Sequence, residues 1–394
     1  MRYRETGLAK AVARAVYGSH LLNSVSRLET YAACAYKHFL QYGLSLKERE
    51  EFAFEAVDMG NVFHGALDEF SRRLEESEYT WLDFPEDFGR ENITRAMENF
   101  TANYSAGVLY SSARNEYAIT RMNRVLLRTV NTLQNHLQKG DFVPEGHEIA
   151  FHFADNMDSV NIALTEKEKM RLQGRIDRID TAEDEEHVYV KVIDYKSGNK
   201  QFDLAAVYYG LQLQLVVYMN AAMEIEAKKH PDKEVVPAAL LYYHVEDPLV
   251  ETPGELSPEE INDQLLQKLR MNGVVNGDAN IIEKLDRYMA DKSHVIPVEK
   301  KKDGTFSARS SIMSREELQL VSGYVNSKIR EIGREILNGN KKIAPYEKGM
   351  MSACTYCAYK KVCGFDPAIP GYKKRKLEEI PQEEALKKME EELG

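Results

Sequence analysis

The chain has 394 residues, of which 43% are hydrophobic and 29% are charged, and its formal net charge is −11. The length allows one to three domains, and the negative charge argues against a protein that coats nucleic acid non-specifically. No apolar stretch reaches about 18 residues and the N-terminus lacks a secretory signal, so the sequence predicts a cytoplasmic protein without a membrane-spanning helix.

The N-terminal part of the chain is predicted to be helical. In residues 24–49, Ser24 or Ser26 precedes apolar residues at helical spacing, and Glu29 follows Ser26 as in a capping box. Cys34 lies inside this predicted helix. Further amphipathic helices are predicted over residues 58–77, 90–106 and 116–138.

The middle of the chain changes from helical to strand periodicity. Alternating segments predict strands at residues 145–156, 170–180, 188–198 and 238–247, with a hairpin turn in the acidic segment TAEDEEH. Helices are predicted at residues 203–229, 255–295 and 314–338, and a second hairpin at residues 295–312. This order indicates an α/β fold of α+β character, in which a central mixed sheet is flanked by helices and carries helical insertions.

Charged residues interrupt the apolar pattern of the predicted hairpin. Asp194 and Lys196 occupy alternate positions of one strand and therefore project from the same face. If the turn is centred near Glu185, Asp177 lies beside Asp194 on that face. Two carboxylates on adjacent strands can hold a divalent cation such as Mg²⁺, and a nearby lysine can position water or offset negative charge. The alternative is a surface hairpin whose charges form salt bridges.

Two helical motifs flank the hairpin in the sequence. His64 lies on an amphipathic helix with Asp68 one turn further on, and histidine is a frequent metal ligand as well as a common packing residue. Gln214 and Tyr218 are spaced i, i+4 and therefore share one face of the helix that follows the hairpin. Taken alone, either motif is compatible with ordinary packing.

The chain contains four cysteines, Cys34 near its start and Cys354, Cys357 and Cys363 near its end. In a reducing compartment this pattern is more typical of metal ligands than of disulfides. Four thiolates can bind a structural zinc ion or an iron–sulfur cluster, and the spacing does not distinguish between them. In either case the cysteines are expected to join the two ends of the domain.

The order of these motifs resembles the RecB-type branch of the PD-(D/E)xK nuclease superfamily. The resemblance rests on G-x-x-x-H-x-x-L-D-x-F, G-R-I-D-R-I-D, I-D-Y-K-S-G and Q-L-Q-L-x-x-Y. The segments S-V-S-R-L-E-T-Y-A-A-C and C-T-Y-C-A-Y-K-K-V-C resemble the cluster segments in the C-terminal nuclease domains of AddB-type helicase–nuclease subunits. Together the motifs cover about residues 24–367 and are highly specific in combination.

The resemblance implies a restriction-endonuclease-like core and a role for each site residue. Asp177 and Asp194 look like metal ligands with His64 as a further ligand, and Lys196 looks like the catalytic lysine. The pair that comes last in the motif order, Gln214 and Tyr218, looks like the helix pair that contacts DNA or orients the site. By the same resemblance, Cys34, Cys354, Cys357 and Cys363 look like ligands of a structural [4Fe–4S] cluster that joins the N- and C-terminal segments.

The implied activity is that of a Mg²⁺- or Mn²⁺-dependent DNA exonuclease in recombinational repair. It would degrade the 5′-ended strand at double-strand breaks, with DNA ends and single-stranded tails as substrates and an AddA-like helicase–nuclease subunit as partner. The chain has no G-x-x-x-x-G-K-[ST] motif, so ATP binding is not predicted from it. Ala35 stands where the family often has proline after the first cysteine.

The resemblance also implies a domain plan. A nuclease domain spans residues 24–370, with a helical part at 24–140, a catalytic core at 145–250, a helical insertion at 255–340 and a cluster segment at 350–367. Residues 1–23 are expected to be a leader or linker to an upstream region. Residues 371–394 are expected to be a charged tail, either a solvated helix or disordered.

Three alternatives remain at this point. A stand-alone iron–sulfur exonuclease of the CRISPR-adaptation type shares the four cysteines but is much shorter. A non-catalytic scaffold that binds DNA ends predicts the loss of an acidic ligand or of the lysine, whereas Asp177, Asp194 and Lys196 are all present. A zinc protein without nuclease activity is the third alternative.

Overall fold

The computed structural model describes residues 7–18, 20–49, 56–103, 113–151, 157–251 and 254–394. Half of the strands in the described residues belong to one mixed sheet, and the others form two three-stranded sheets. The strands are β1 (His20–Asn23), β2 (Val143–Phe151), β3 (Asn161–Ala163), β4 (Lys169–Leu172), β5 (Gly174–Glu183), β6 (His187–Lys196), β7 (Glu234–His244), β8 (Asn272–Asn276), β9 (Ile312–Met313), β10 (Tyr346–Lys348), β11 (Met351–Ser352) and β12 (Arg375–Lys376).

Helices pack on this sheet. Some precede its first strand in the chain, and others lie between its strands or follow them. The α-helices are α1 (Lys10–Tyr17), α2 (Val25–Ala33), α3 (Ala35–His38), α4 (Ala56–Glu75), α5 (Glu86–Asn103), α6 (Ala113–Gln138), α7 (Leu204–Tyr208), α8 (Gln214–Lys229), α9 (Pro258–Lys268), α10 (Ala279–Leu285), α11 (Arg315–Leu337), α12 (Lys360–Cys363) and α13 (Gln382–Leu393). A π-helical turn, Phe39–Gly43, follows α3.

The central sheet has six strands in the order β2-β5-β6-β7-β8-β9. Its middle is the antiparallel hairpin β5–β6, whose register pairs Arg178 with Ile193 and Ala182 with Tyr189. The acidic turn between these strands suits the hairpin because its residues disfavour extended pairing. The predicted hairpin and the position of its turn are therefore confirmed.

A crossover connection joins the hairpin to the next strand. β6 pairs with β7 in parallel, and the chain between them forms α7 and α8. Such parallel neighbours need a crossover, and a helix packed on the sheet is its usual form. The crossover lays α8 across the sheet beside the carboxyl end of β6, which carries Asp194 and Lys196. The predicted helix over residues 203–229 is interrupted between Tyr209 and Leu213.

Two apolar cores cover the two faces of the sheet. One contains Val190 and Val192 of β6 together with buried residues of α2, α8 and α11. The other contains Ile193 and Tyr195 of β6 together with buried residues of α4, α5 and α6. The mixed sheet with helices on both faces confirms the predicted fold class. None of the described helices is long and apolar enough to span a bilayer.

The helix predicted over residues 24–49 is wrong in its length and in its cap. It ends at Ala33, and Cys34 is extended (φ −164°, ψ 112°) between α2 and α3. Ser24 occupies the N-cap position without a side-chain cap bond, and the carboxylate of Glu29 accepts hydrogen bonds from the distant Leu213 and Gln214 amides instead. The break turns the Cys34 side chain away from a regular helical face.

The C-terminal half differs from prediction in two places. Residues 255–295 are not continuously helical, because β8 lies between α9 and α10 and joins the sheet through β7. The tail is neither solvated along its whole length nor disordered, because Ala385, Leu386 and Met389 of α13 are buried. By contrast, the predicted helix at 314–338 is confirmed as α11, and the bridge between Lys300 and Phe306 confirms a second hairpin turn.

The N-terminal segment is packed on the domain. β1 pairs in parallel with β4, and Arg14 of α1 forms an ion pair with Glu168 at 2.5 Å. Residues 10–18 and 20–23 therefore belong to the folded unit, which differs from the leader or linker expected for residues 1–23. Residues 104–106 of the predicted 90–106 helix and 152–156 of the predicted 145–156 strand lie outside the described residues.

Candidate active site

Three carboxylates form a row across neighbouring strands of the sheet. The β2–β5 register pairs His147 with Arg178 and Ile149 with Ile176, so Glu148 lies opposite Asp177. The β5–β6 register, continued by one residue beyond Arg178, places Asp177 opposite Asp194. Residues opposite each other on adjacent strands project from the same face. The sheet itself thus gathers acidic side chains on one face.

A histidine from α4 completes part of this group. His64 Nδ1 lies 3.5 Å from Asp177 Oδ1 and 3.5 Å from Glu148 Oε1. One ligand atom from each of His64, Glu148 and Asp177 lies within 4.8 Å of the others. Burial alone would lower the pKa of His64, but the two carboxylates outweigh it and raise that pKa to about 10. A metal ion bound there would displace this proton.

Asp194 lies next to this group, deeper in the sheet. Its side chain is 1% exposed, and its charge is paired with the Lys196 ammonium. Within the described residues neither carboxylate oxygen has a hydrogen-bond partner of good geometry. Burial and the charge of Asp177 raise the pKa of Asp194 to about 6, although Lys196 opposes the shift. A buried carboxylate beside a second carboxylate suits a divalent cation, which would relieve their repulsion.

Lys196 is held by the helix of the crossover. Its Nζ donates a 3.1 Å hydrogen bond to Gln214 Oε1, and Gln214 Nε2 donates a 3.0 Å bond to the Tyr218 hydroxyl. Both helical residues lie on the face of α8 that packs on the sheet, as their i, i+4 spacing requires. The ring of Tyr242 lies 5.7 Å from Lys196 Nζ. The lysine is therefore oriented from two sides.

A buried charge network lies behind the carboxylate row, on the opposite face of the sheet. Arg178 Nε donates to Asp180 Oδ1 at 2.5 Å, and Lys191 Nζ lies 2.8 Å from Asp180 Oδ2. All three residues are at most 3% exposed. The guanidinium of Arg178 lies 4.7 Å from the ring centre of Trp81. These contacts fix β5 and β6 to each other directly beneath Asp177.

The carboxylate row opens into a cavity of about 780 Å³ between α4, α5 and the sheet. His64, Glu148 and Asp177 lie in its wall together with two arginines, Arg72 and Arg175. Arg175 Nη1 lies 2.8 Å from Glu148 Oε2, and its side chain is 63% exposed. Arg72 is paired with Asp68 and Glu69, which also line the cavity. The wall is therefore rich in carboxylates, which suits a cation, and carries two arginines within reach of a phosphodiester.

The structure brings most of the predicted site residues together. His64 and Asp177 share the compact ligand group, and Lys196, Gln214 and Tyr218 form one hydrogen-bonded series. Asp194 stands beside the group but is not among the ligand atoms within 4.8 Å of one another.

Glu148 was missed by the sequence analysis. Its signal was weak, because it lies in the alternating segment EGHEIAF without a recognised motif. Its backbone is in the left-handed region (φ 47°), which is unusual for a residue other than glycine and costs free energy. The pairing that sets Glu148 opposite Asp177 depends on a register shift between Pro144 and Gly146. Local sequence carries little information about such a shift.

The cysteines form a second candidate site, remote in sequence from the first. All four line one cavity of about 50 Å³, so the fold brings Cys34 next to the C-terminal cysteine motif. Their thiols are free, and Cys34 is buried while Cys354, Cys357 and Cys363 are half-buried. Burial raises the pKa of Cys354 and Cys363. Four convergent thiols without disulfides are a donor set suited to a thiophilic metal centre.

Comparison with known proteins identifies a nuclease superfamily that this chain resembles along most of its length. A model of the PD-(D/E)XK nuclease superfamily matches residues 23–364. The chain is 42% identical, over 99% of its length, to the B-type subunit of the ATP-dependent helicase/deoxyribonuclease of Lachnoclostridium phytofermentans, of which it covers 34%. Proteins of the same name from Alkaliphilus metalliredigens and Bacillus thuringiensis are each 37% identical over 98% and 100% of the chain. The chain spans about a third of the length of these curated relatives.

Proposed function

The chain belongs to the PD-(D/E)XK nuclease superfamily, and we propose that it is a divalent-metal-dependent deoxyribonuclease of the AddB type. The observation that carries this proposal is the row of Glu148, Asp177 and Asp194 on adjacent strands, with Lys196 beside it. Carboxylates from neighbouring strands and a lysine on the same face are suited to metal-assisted phosphodiester hydrolysis.

His64, Glu148, Asp177 and Asp194 would hold the cation, which we propose to be Mg²⁺ or Mn²⁺. Their oxygen atoms and the single imidazole nitrogen match the preferences of these hard ions. When bound, such a cation neutralises charge on a phosphodiester and lowers the pKa of water. The fit is supported by Asp194 Oδ1, which has no hydrogen-bond partner among the described residues, and by the mutual proximity of the other ligand atoms.

Lys196 is proposed as the catalytic lysine. Its ammonium, set between Asp194 and Gln214, can donate a hydrogen bond to the attacking water or to a phosphate oxygen. Gln214 and Tyr218 orient it, because the tyrosine hydroxyl accepts from the glutamine amide and leaves the amide oxygen for the lysine. Arg72 and Arg175 in the cavity wall are exposed enough to turn from their carboxylate partners to the phosphates of the substrate strand.

We propose a [4Fe–4S] cluster for the cysteine site. The four free thiols line one cavity, which supports a thiophilic metal centre. The likeness of both cysteine segments to the cluster segments of AddB-type subunits supports the iron–sulfur cluster over zinc. Iron and sulfide analysis of protein purified without oxygen tests the assignment, and one bound zinc per chain without iron would refute it.

The proposed substrate is DNA at double-strand breaks, and the proposed role is recombinational repair with degradation of the 5′-ended strand. The relatives are named as one subunit of an ATP-dependent helicase/deoxyribonuclease, which supports an AddA-like helicase–nuclease subunit as partner. A DNA substrate also supports a cytoplasmic location in a bacterial cell.

Digestion of linear duplex and single-stranded DNA, labelled at either the 5′ or the 3′ end, tests this function. We expect Mg²⁺-dependent release of short labelled products and no cutting of covalently closed circles. The end from which label is first released reports the polarity. No hydrolysis of any DNA with Mg²⁺ or Mn²⁺, alone or with the partner subunit, would overturn the proposal.

A further inference from the structure

One carboxylate links the helix that precedes Cys34 to the helix that orients Lys196. Glu29 of α2 accepts hydrogen bonds from the backbone N–H groups of Leu213, at 2.7 Å, and of Gln214, at 3.2 Å, through the same oxygen. These amides begin α8. The contact spans 184 residues of sequence and is partly buried.

In the part of the chain that the structure describes, no other side chain caps α8 at this end. Leu213 stands at its N-cap position, has no side-chain acceptor and is buried. The first amides of a helix have no partner within the helix and need an acceptor from elsewhere. A carboxylate placed there also interacts favourably with the helix dipole. Glu29 therefore supplies from another element what Ser, Thr or Asp usually supplies locally.

A second contact joins the same two elements. Gly210, in the turn before α8, has φ +77°, and a β-carbon placed on it would lie 3.1 Å from the Ala32 side chain. α2 thus packs tightly on the turn that leads into α8. At the same end of α2, next to Cys34, Arg375 donates to the Ala32 and Ala33 carbonyls.

We propose that Glu29 is a positioning residue of the nuclease site, which sets Gln214, and through it Lys196, by capping α8. The inference rests on the proposed function for its catalytic consequence, but the capping contact is independent of it. Because α2 ends at Cys34, the same contact makes the geometry of the lysine depend on the cysteine site. A loss of that site is transmitted to Lys196 through α2 and Glu29.

Amide hydrogen exchange tests the capping contact without reference to activity. In Glu29→Ala we expect the Leu213 and Gln214 amides to exchange about tenfold faster, as the loss of a helix cap does. Glu29→Gln keeps an acceptor oxygen of the same reach, so we expect protection within about threefold of the parent. If Glu29→Ala does not fold, Glu29→Asp, whose carboxylate is one methylene shorter, takes its place. Unchanged exchange of the Leu213 and Gln214 amides in Glu29→Ala, or in Glu29→Asp where it takes its place, would overturn the proposal.

Steady-state cleavage of linear DNA tests the consequence, with Glu335→Ala as matched control. Glu335 accepts a 2.9 Å bond from the Tyr31 hydroxyl, so it ties α2 to α11 instead of α8. We expect Glu29→Ala to lower kcat about tenfold or more with KM for DNA within about twofold, since misplacement of a catalytic group mainly slows the chemical step. We expect Glu29→Gln to restore most of kcat and Glu335→Ala to leave it within about twofold.

These outcomes separate the proposal from the nuclease assignment. Equal losses of kcat in Glu29→Ala and Glu335→Ala would show a general loosening of α2 and overturn the positioning role. A parent protein without any nuclease activity would overturn the proposed function, and the exchange measurement would still decide whether Glu29 caps α8.

Discussion

The backbone N–H of Tyr195 donates a 2.7 Å hydrogen bond to Asp177 Oδ2. One oxygen of this carboxylate is therefore fixed by the neighbouring strand, while the other lies 3.5 Å from His64 Nδ1. The sheet therefore fixes the orientation of Asp177. A site prepared in this way loses little freedom when the metal and the substrate arrive.

Glu148 provides a sharp test of the metal site. We expect Glu148→Gln to weaken Mn²⁺ or Mg²⁺ binding at least about tenfold, because a full negative charge beside the cation is lost. Isothermal titration calorimetry measures this affinity. Glu145→Gln is the control, because Glu145 lies on the same strand and pairs with Lys229 at 2.7 Å, away from the row. Equal affinities for the two variants would remove Glu148 from the ligand set.

The buried charge network should be essential for stability. Asp180→Asn leaves Arg178 and Lys191 without their shared counter-ion on the buried face of the sheet. We expect a loss of about 3–5 kcal/mol in the free energy of unfolding, as for other buried pairs from which one partner is removed. Urea unfolding measures it, with the exposed Asp232→Asn as control. A loss below about 1 kcal/mol would contradict the role assigned to Asp180.

Two buried histidines predict a pH dependence of stability. Burial lowers the pKa of His136 and of His147 to about 3, from 6.5 when unfolded. Below pH 6.5 the unfolded chain binds more protons than the native one. The contribution of these histidines to the free energy of unfolding is therefore fully present above that pH and is lost as pH falls toward 3. Each histidine contributes a slope of about 1.4 kcal/mol per pH unit in this window.

Urea unfolding of a His147→Phe variant between pH 7.5 and 5 measures this slope. Phenylalanine can keep the stacking of His147 on Trp81, whose ring centres lie 5.6 Å apart. Below about pH 6 we expect the slope to decrease by up to about 1.4 kcal/mol per pH unit, with little difference from the parent at pH 8. A slope identical to that of the parent would contradict the buried, neutral state of His147.

The cysteine site predicts a coupled loss of metal and stability. We expect Cys34→Ala to lose the bound metal and to be destabilised by more than about 4 kcal/mol, since metal binding and folding are linked at structural sites. Calorimetric unfolding and metal analysis of the same preparation measure both. Thr30→Ala, which removes only a side-chain hydrogen bond to the Ser26 carbonyl within α2, is the control. Full metal content and unchanged stability in Cys34→Ala would exclude Cys34 as a ligand.

Much of the site could be predicted because local sequence patterns determine where its residues lie. Strand alternation and the acidic turn determine the register that brings Asp177 opposite Asp194, and i, i+4 spacing brings Gln214 and Tyr218 to one face of a helix. Glu148 could not be found in this way, because its place depends on a register shift in β2 and on a left-handed backbone.

Long-range contacts also overrode local signals at two positions. The Ser26–Glu29 spacing predicts a capping box, yet Glu29 caps a helix distant in sequence. The partly buried amides at the start of α8 have less access to water than an exposed turn and therefore need an acceptor more. The short apolar pattern at residues 271–275 is compatible with a helix or a strand. The segment forms a strand because it pairs with β7.

The central claim is that the row of carboxylates with Lys196 hydrolyses DNA. The rate of Mg²⁺-dependent cleavage of end-labelled linear DNA by Lys196→Ala tests it most directly, beside Lys233→Ala, whose lysine pairs with Glu183 at the far end of the hairpin. DNA binding, measured in Ca²⁺, and thermal stability provide the controls for folding. We predict a loss of at least about a hundredfold in rate for Lys196→Ala, with binding retained and Lys233→Ala unaffected. Cleavage by Lys196→Ala at the parent rate would contradict the account.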